Sequence, residues 1–133
     1  MGAIFGAKIP FAELCGIEFH GAKNGVTQLS VRLEPQHANN SGIPHGGLVA
    51  TLMDIAMGSA ARLAAGGPVM TLDMHISFFA SGEGSLSAEG RVMRAGVSVI
   101  FCEAEARDAN GELVAKSSGV FKRRKSAGGA SEG

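Results

Sequence analysis

Between Val26 and Leu33 polar and apolar side chains alternate, with Val26, Gln28 and Ser30 on one side and Thr27, Leu29, Val31 and Leu33 on the other. A strand with one buried face has this period, and Pro35 ends it. Upstream, Phe11, Leu14 and Ile17 recur at helical spacing, which predicts a short helical turn from Pro10 leading into a strand by Phe19. The stretch His37 to Pro44, rich in Asn, Ser, Gly and Pro, reads as a loop ordered by hydrogen bonds to its own backbone. The pattern then changes. From Gly47 to Ala65 the chain is mostly Ala, Leu and Met without proline, and Gly66-Gly67-Pro68 supplies a stop, so a long helix is expected. Thr51, Asp54, Gly58 and Arg62 form its one thin polar stripe by i, i+3, i+4 spacing. A helix this apolar should be wrapped by other structure rather than laid on a surface.

Beyond the helix the spacing predicts strands over Val69 to Phe79, Leu86 to Met93, Val97 to Arg107 and Leu113 to Phe121. Short Gly, Ser or Asn turns join them, so neighbours should run antiparallel. Asn110-Gly111 is read as a tight hairpin turn with positive φ at both central positions. One strand, one buried helix and four antiparallel strands describe an α+β domain, a sheet curled around a central helix.

Composition adds limits. With 133 residues, 45% of them hydrophobic, the chain suits a single domain over residues 1–125. The small, polar tail 126–133 is expected to be disordered. Lys plus Arg and Asp plus Glu each number 12, so the overall field gives no reason to expect nucleic acid as partner. The exception is the basic run Lys122, Arg123, Arg124 and Lys125. Met1 to Pro10 has no charged region followed by a long apolar stretch, and no apolar run of about 18 residues occurs, so no membrane partner is expected. The two cysteines, Cys15 and Cys102, lie far apart without metal or redox spacing, which points to a reducing, cytoplasmic setting.

Two features carry candidate chemistry. Gly46 and Gly47 at a helix start would let a carbonyl approach backbone N–H groups that have no intrahelical partner, with the helix dipole favouring negative charge there. Equally, two glycines can simply permit a tight loop-to-helix turn. Asp54 is the sharper anomaly, because an acid in an apolar helix costs propensity and, if buried, several kcal/mol of desolvation unless it is partnered. It could lie on a solvated face, pair with Arg62 of a neighbouring helix, or act as a base or nucleophile. Asn39 is as natural in an Asx turn as at a carbonyl, and Thr71 could be an ordinary strand residue. His75 has no third ligand at sensible spacing, so no metal site is expected. Phe78, Phe79 and the methionines 53, 57, 70 and 74 read as core or dimer contacts.

His37-Ala38-Asn39-Asn40-Ser41-Gly42-Ile43-Pro44-His45-Gly46-Gly47 followed by Asp54, with the strand around Thr71-Leu72-Asp73-Met74-His75, resembles the hotdog-fold thioesterase superfamily, in its PaaI-like, phenylacetate-pathway branch. The resemblance runs from about Pro10 to Lys122. It implies a hotdog fold and hydrolysis of an acyl-CoA thioester, with coenzyme A thioester as substrate and no metal or redox cofactor. By that resemblance Asp54 attacks or activates water, Gly46 N–H and Asn39 polarise the carbonyl, and Thr71 hydrogen-bonds the water or the acid. His45 holds the turn or Asn39, and Gly47 contributes to substrate binding. Apart from the resemblance, the basic run near the end of the chain reads as a solvated strand end or, through Arg123 and Arg124, as a contact for the nucleotide phosphates. Along one helix Gly46 and Asp54 are about 12 Å apart. The resemblance supplies an answer: two central helices lie antiparallel in a homodimer, with Asp54 of one subunit facing Gly46 of the other, and two dimers form a homotetramer. The rival readings are a hydroxyacyl dehydratase on the same fold and a non-catalytic acyl-CoA-binding module.

Overall fold

A computed structural model describes residues 8–125, and the tail 126–133, expected to be disordered, lies outside the described residues. Helix α1 (Pro10–Cys15) leads through Gly16, left-handed at φ 78°, into strand β1 (Ile17–Lys23). Strand β2 (Val26–Arg32) follows, then a single 3-10 turn at Pro35–His37 and the long helix α2 (Gly46–Ala65). Four strands complete the chain: β3 (Val69–Phe78), β4 (Ser85–Ala95), β5 (Val99–Asp108) and β6 (Leu113–Arg123). All six strands form one antiparallel sheet in the order β1-β2-β4-β5-β6-β3. This sheet curled on one long helix is the hotdog fold.

The expected elements are found with two differences. Two strands precede the central helix, not one. Ile17-Glu18-Phe19-His20 alternates for only four residues before a bulge between Phe19 and Gly21 and the exposed Ala22 and Lys23 interrupt the pattern that would have marked β1. The tight turn with two positive φ values is Asn24-Gly25, at 55° and 80°, joining β1 to β2. At the predicted place only Gly111 is left-handed, at 82°. There Asp108, buried at 7% exposure, organises a longer loop by accepting from the backbone N–H of Asn110 and Glu112 through Oδ1.

The alternation read in β2 is realised: Thr27, Leu29 and Val31 are buried against the helix. Small side chains from neighbouring strands, Ala88 and Gly90 on β4, Ala104 and Ala106 on β5, and Ala115 and Ser117 on β6, share that face. Their small size lets α2 sit close to the sheet. The Thr27 hydroxyl donates to the carbonyl of Ala56 at 2.8 Å, and a Cβ added to Gly90 would overlap that same carbonyl. Leu52, Met53, Ala56 and Met57 of α2 are fully buried.

The helix is not wrapped all round within one protomer. Thr51, Asp54, Gly58 and Arg62 stay half-buried, and β3 beside them is an edge strand paired only through β6. Met70, Leu72 and Phe78 of β3, and Phe79 beyond its end, are exposed. Among the described residues α2 is the one helix long and apolar enough to cross a membrane, and more than half of it is buried inside the protein, as in a core helix.

Candidate active site

Asp54 lies mid-way along α2 on its half-buried stripe, and Thr71 lies near the start of β3. Thr71 pairs with Phe121 across β6, which is fully buried, so the Thr71 side chain projects toward the helix. There its hydroxyl donates to Oδ1 of Asp54 at 2.8 Å. A bulge between Thr71 and Asp73 shifts the register immediately afterwards. Asp54 and Thr71 open onto a cleft of about 260 Å³ whose other walls include Ile55, Gly58, Val69 and Phe121. Among the described residues the carboxylate is held through Oδ1 alone, at the edge of a mostly apolar hollow that Ser59 and Arg62 also line.

The start of α2 is built by the preceding loop. His37 is buried at 8% exposure, and its Nδ1 accepts from the Glu34 N–H at 2.9 Å. Its other nitrogen, Nε2, must then carry the proton, and it donates to the Cys15 carbonyl at 2.7 Å. This neutral imidazole ties the loop to the end of α1. Asn39 closes the next turn, with Oδ1 accepting from the N–H groups of Ser41 at 2.8 Å and Ile43 at 3.3 Å. Its amide nitrogen has no acceptor among the described residues and remains a donor. The Asx reading and the donor reading of Asn39 thus coexist in one side chain.

His45 is the N-cap of α2. Its Nδ1 accepts from the Gly47 N–H at 2.7 Å, and its own N–H donates to the His37 carbonyl. A Cβ on Gly47 would lie 2.9 Å from that Nδ1, so glycine is what lets the ring reach over the helix end. Gly47 was expected at the substrate, yet in the protomer its N–H is occupied by the cap. The Gly46 N–H, by contrast, has no acceptor among the described residues. A second, open cleft of about 400 Å³ near this end of α2 is lined by Phe11, Cys15, His45, Gly47 and Thr51, whereas a Cβ on Gly46 would face the Phe78 ring at 3.7 Å. The acid and the free amide therefore lie apart along one helix.

The basic run is split. The Arg123 guanidinium donates from Nε and Nη2 to the Gly96 carbonyl at 3.3 and 3.2 Å, bracing the β4–β5 turn. Arg124 follows β6, its N–H donating to the Pro68 carbonyl. Arg123 is thus tied to a loop, although the sequence alone offered it to phosphate. His37, Phe11 and Cys15 are the contributors that sequence reasoning missed. His37 gave no periodic signal, and the turn of α1 over the start of α2 is a tertiary contact.

The thioesterase superfamily profile matches residues 41–115, which contain Gly46, Asp54 and Thr71. A protein of Halobacterium salinarum, provisionally named an esterase, is 32% identical over 120 residues, covering 80% of each chain. A similarly named protein of Pseudomonas aeruginosa is 34% identical over 119 residues, covering 84% of this chain and 87% of its own. Among solved structures, a conserved Pseudomonas aeruginosa protein superposes with TM-score 0.82 at 29% identity, covering 86% of this chain and 94% of its own. The Escherichia coli PaaI protein, from the phenylacetic acid degradation operon, shares the fold at TM-score 0.83 and 21% identity, covering 90% of this chain and 87% of its own. With the sheet, the helix and the acid at its middle in place, the chain belongs to the thioesterase superfamily.

Proposed function

We propose that this protein hydrolyses an aryl- or fatty acyl-CoA to the free acid and CoA at a site shared by two subunits. The observation that carries this reading is the separation of two complementary halves on one face of α2. An acid held by Thr71 lies about 12 Å along the helix from a free amide at its N-terminus, too far for both to meet one carbonyl. Antiparallel pairing of two α2 helices across their half-buried stripes would bring Asp54 of one subunit to Gly46 of the other. The exposed apolar side chains of β3 support such pairing, since an unpaired apolar edge strand is otherwise an aggregation hazard.

In that arrangement the thioester carbonyl oxygen accepts from the Gly46 N–H, with the Asn39 amide nitrogen beside it. Asp54, its Oδ1 held by Thr71, uses Oδ2 either to take a proton from attacking water or to attack the carbonyl carbon itself. Negative charge gathers on the carbonyl oxygen as it becomes tetrahedral, and one well-aimed amide there is worth about 3 kcal/mol. Collapse breaks the C–S bond. When water attacks, the CoA thiolate takes up the proton held by Asp54; when Asp54 itself attacks, water then hydrolyses the anhydride formed on Asp54 to the free acid and supplies the thiolate's proton. No metal or redox group enters this scheme. The working assembly is a homodimer, two of which form a tetramer, and the cytoplasm is where acyl-CoA would meet it. The operon context of the Escherichia coli neighbour favours an aryl acyl group as first probe.

The test is release of free CoA thiol from a panel of aryl, short and long acyl-CoAs, with Asp54→Asn alongside. Turnover abolished by the substitution supports the reading, and turnover unchanged contradicts it.

A further inference from the structure

Gly58 sits one turn beyond Asp54 on the same stripe of α2, in the interior of a 20-residue helix. Helix interiors favour alanine over glycine, so a glycine there calls for a local reason. Elsewhere in the molecule the reason is packing: a Cβ on Gly90 would run into the backbone of Ala56, and no rotamer change relieves an overlap with main chain. Gly58 is different. A Cβ there would lie 3.3 Å from Cε2 of Phe121 and 3.9 Å from its Cζ, a tight approach to the end of a ring that can yield by a few tenths of an ångström. The fold does not forbid alanine at this position.

A methyl group at 58 would instead obstruct the hollow. Gly58 and Phe121 are both walls of the 260 Å³ cleft that opens at Asp54 and Thr71. The gap between the bare helix backbone and the ring edge is the part of the cleft that a Cβ would bridge. For scale, an apolar cavity of about 150 Å³ holds one benzene ring, so the present cleft is of a size to admit a ring.

We infer that Gly58 is a specificity-determining residue: by leaving the space between α2 and Phe121 open, it sets the size of the acyl group that can lie beside Asp54. The inference rests on the thioesterase reading and names the position that decides the acyl class within it. The packing of Phe121 gives Gly58 its leverage, because the fully buried ring can give by a few tenths of an ångström but not by the width of a methyl group.

The experiment compares wild type with Gly58→Ala and Gly58→Val, each as the purified full chain. kcat/KM is measured for benzoyl-CoA and for acetyl-CoA, and thermal unfolding is recorded for the three proteins. The expected result for Gly58→Ala is a Tm equal to or above that of wild type, with the benzoyl-to-acetyl ratio of kcat/KM reduced at least tenfold. Gly58→Val should lower the ratio further. A folded Gly58→Ala protein with an unchanged ratio overturns the inference. So does a Gly58→Ala protein that fails to fold or loses activity equally on both substrates, since the glycine would then serve packing alone. If wild type releases thiol from no acyl-CoA, the hydrolase reading fails. If it does release thiol but Gly58→Ala keeps the wild-type ratio, only the present inference fails.

Discussion

The Thr71 hydroxyl lies 2.8 Å from Oδ1 of Asp54, joining the edge strand of the sheet to the middle of the central helix. A hydrogen bond to a charged acceptor contributes about 1.5–3 kcal/mol. If it holds the carboxylate in the reacting orientation, Thr71→Ala should lower kcat about 10- to 100-fold, while Thr71→Ser, which keeps the hydroxyl, retains most of the rate. Steady-state kinetics on the two variants decide this. Equal losses in both would show that the methyl group matters and the hydroxyl does not.

The close seat of the helix on the sheet gives a stability prediction. Gly90→Ala places a methyl into the Ala56 carbonyl and must push helix and sheet apart, at a cost of about 3 kcal/mol. Thr27→Val removes the hydroxyl that donates to the same carbonyl and should cost about 1 kcal/mol. Urea unfolding monitored by circular dichroism measures both. A Gly90→Ala midpoint equal to that of wild type would contradict the packing described.

His45 is expected to act as a cap rather than as a proton carrier. His45→Ala removes the acceptor for the Gly47 N–H and should destabilise the protein by about 1 kcal/mol, the usual scale for a lost N-cap. His45→Asn, with a short side-chain oxygen, should recover much of that stability. The comparison needs only thermal melts. Equal Tm values for wild type and His45→Ala would remove the cap from the account.

Much of this was legible in the sequence, for physical reasons that can be named. The helix was readable because a proline-free stretch, in which Ala, Leu and Met fill eleven of twenty positions, ends in a glycine that adopts the left-handed conformation, Gly66 at φ 71°. Asp54 stood out because an acid is costly in such surroundings, and its partner Thr71 was reachable only by resemblance, since strand residues seventeen positions away carry no local signal. Strand β1 was obscured by its polar edge and its bulge. The tight turn was placed at Asn110-Gly111, although Asn24-Gly25 carries the same dipeptide. The carboxylate of Asp108 settled the difference, because it offers the backbone a competing set of acceptors. The engagement of Arg123 by Gly96 is a tertiary hydrogen bond that composition and spacing do not encode, and the local capping of Gly47 by His45 depends on the ring turning back over the helix end.

The two thiols should behave differently. Burial pushes Cys102 up from the usual 9.0 to about 12, whereas Cys15 is only half-buried at the wall of the second cleft. At pH 8 a thiol-specific disulfide reagent should modify Cys15 in the native protein and Cys102 only after unfolding. The same shift predicts a pH effect on stability. The buried thiol stays neutral in the folded state while the unfolded chain ionises near 9.0, so this contribution is intact below pH 9 and is lost as pH climbs toward 12. Rapid native labelling of both cysteines would contradict the burial of Cys102.

Sharing of the site between subunits is the claim on which the mechanism turns, and subunit mixing tests it most directly. Asp54→Ala and Asn39→Ala chains are each expected to be inactive as homodimers. Unfolded together and refolded, they should regain about a quarter of wild-type specific activity, because random pairing under two-fold symmetry gives half heterodimers with one intact site of two. Activity no greater than the sum of the two separate variants would contradict a site built from two chains.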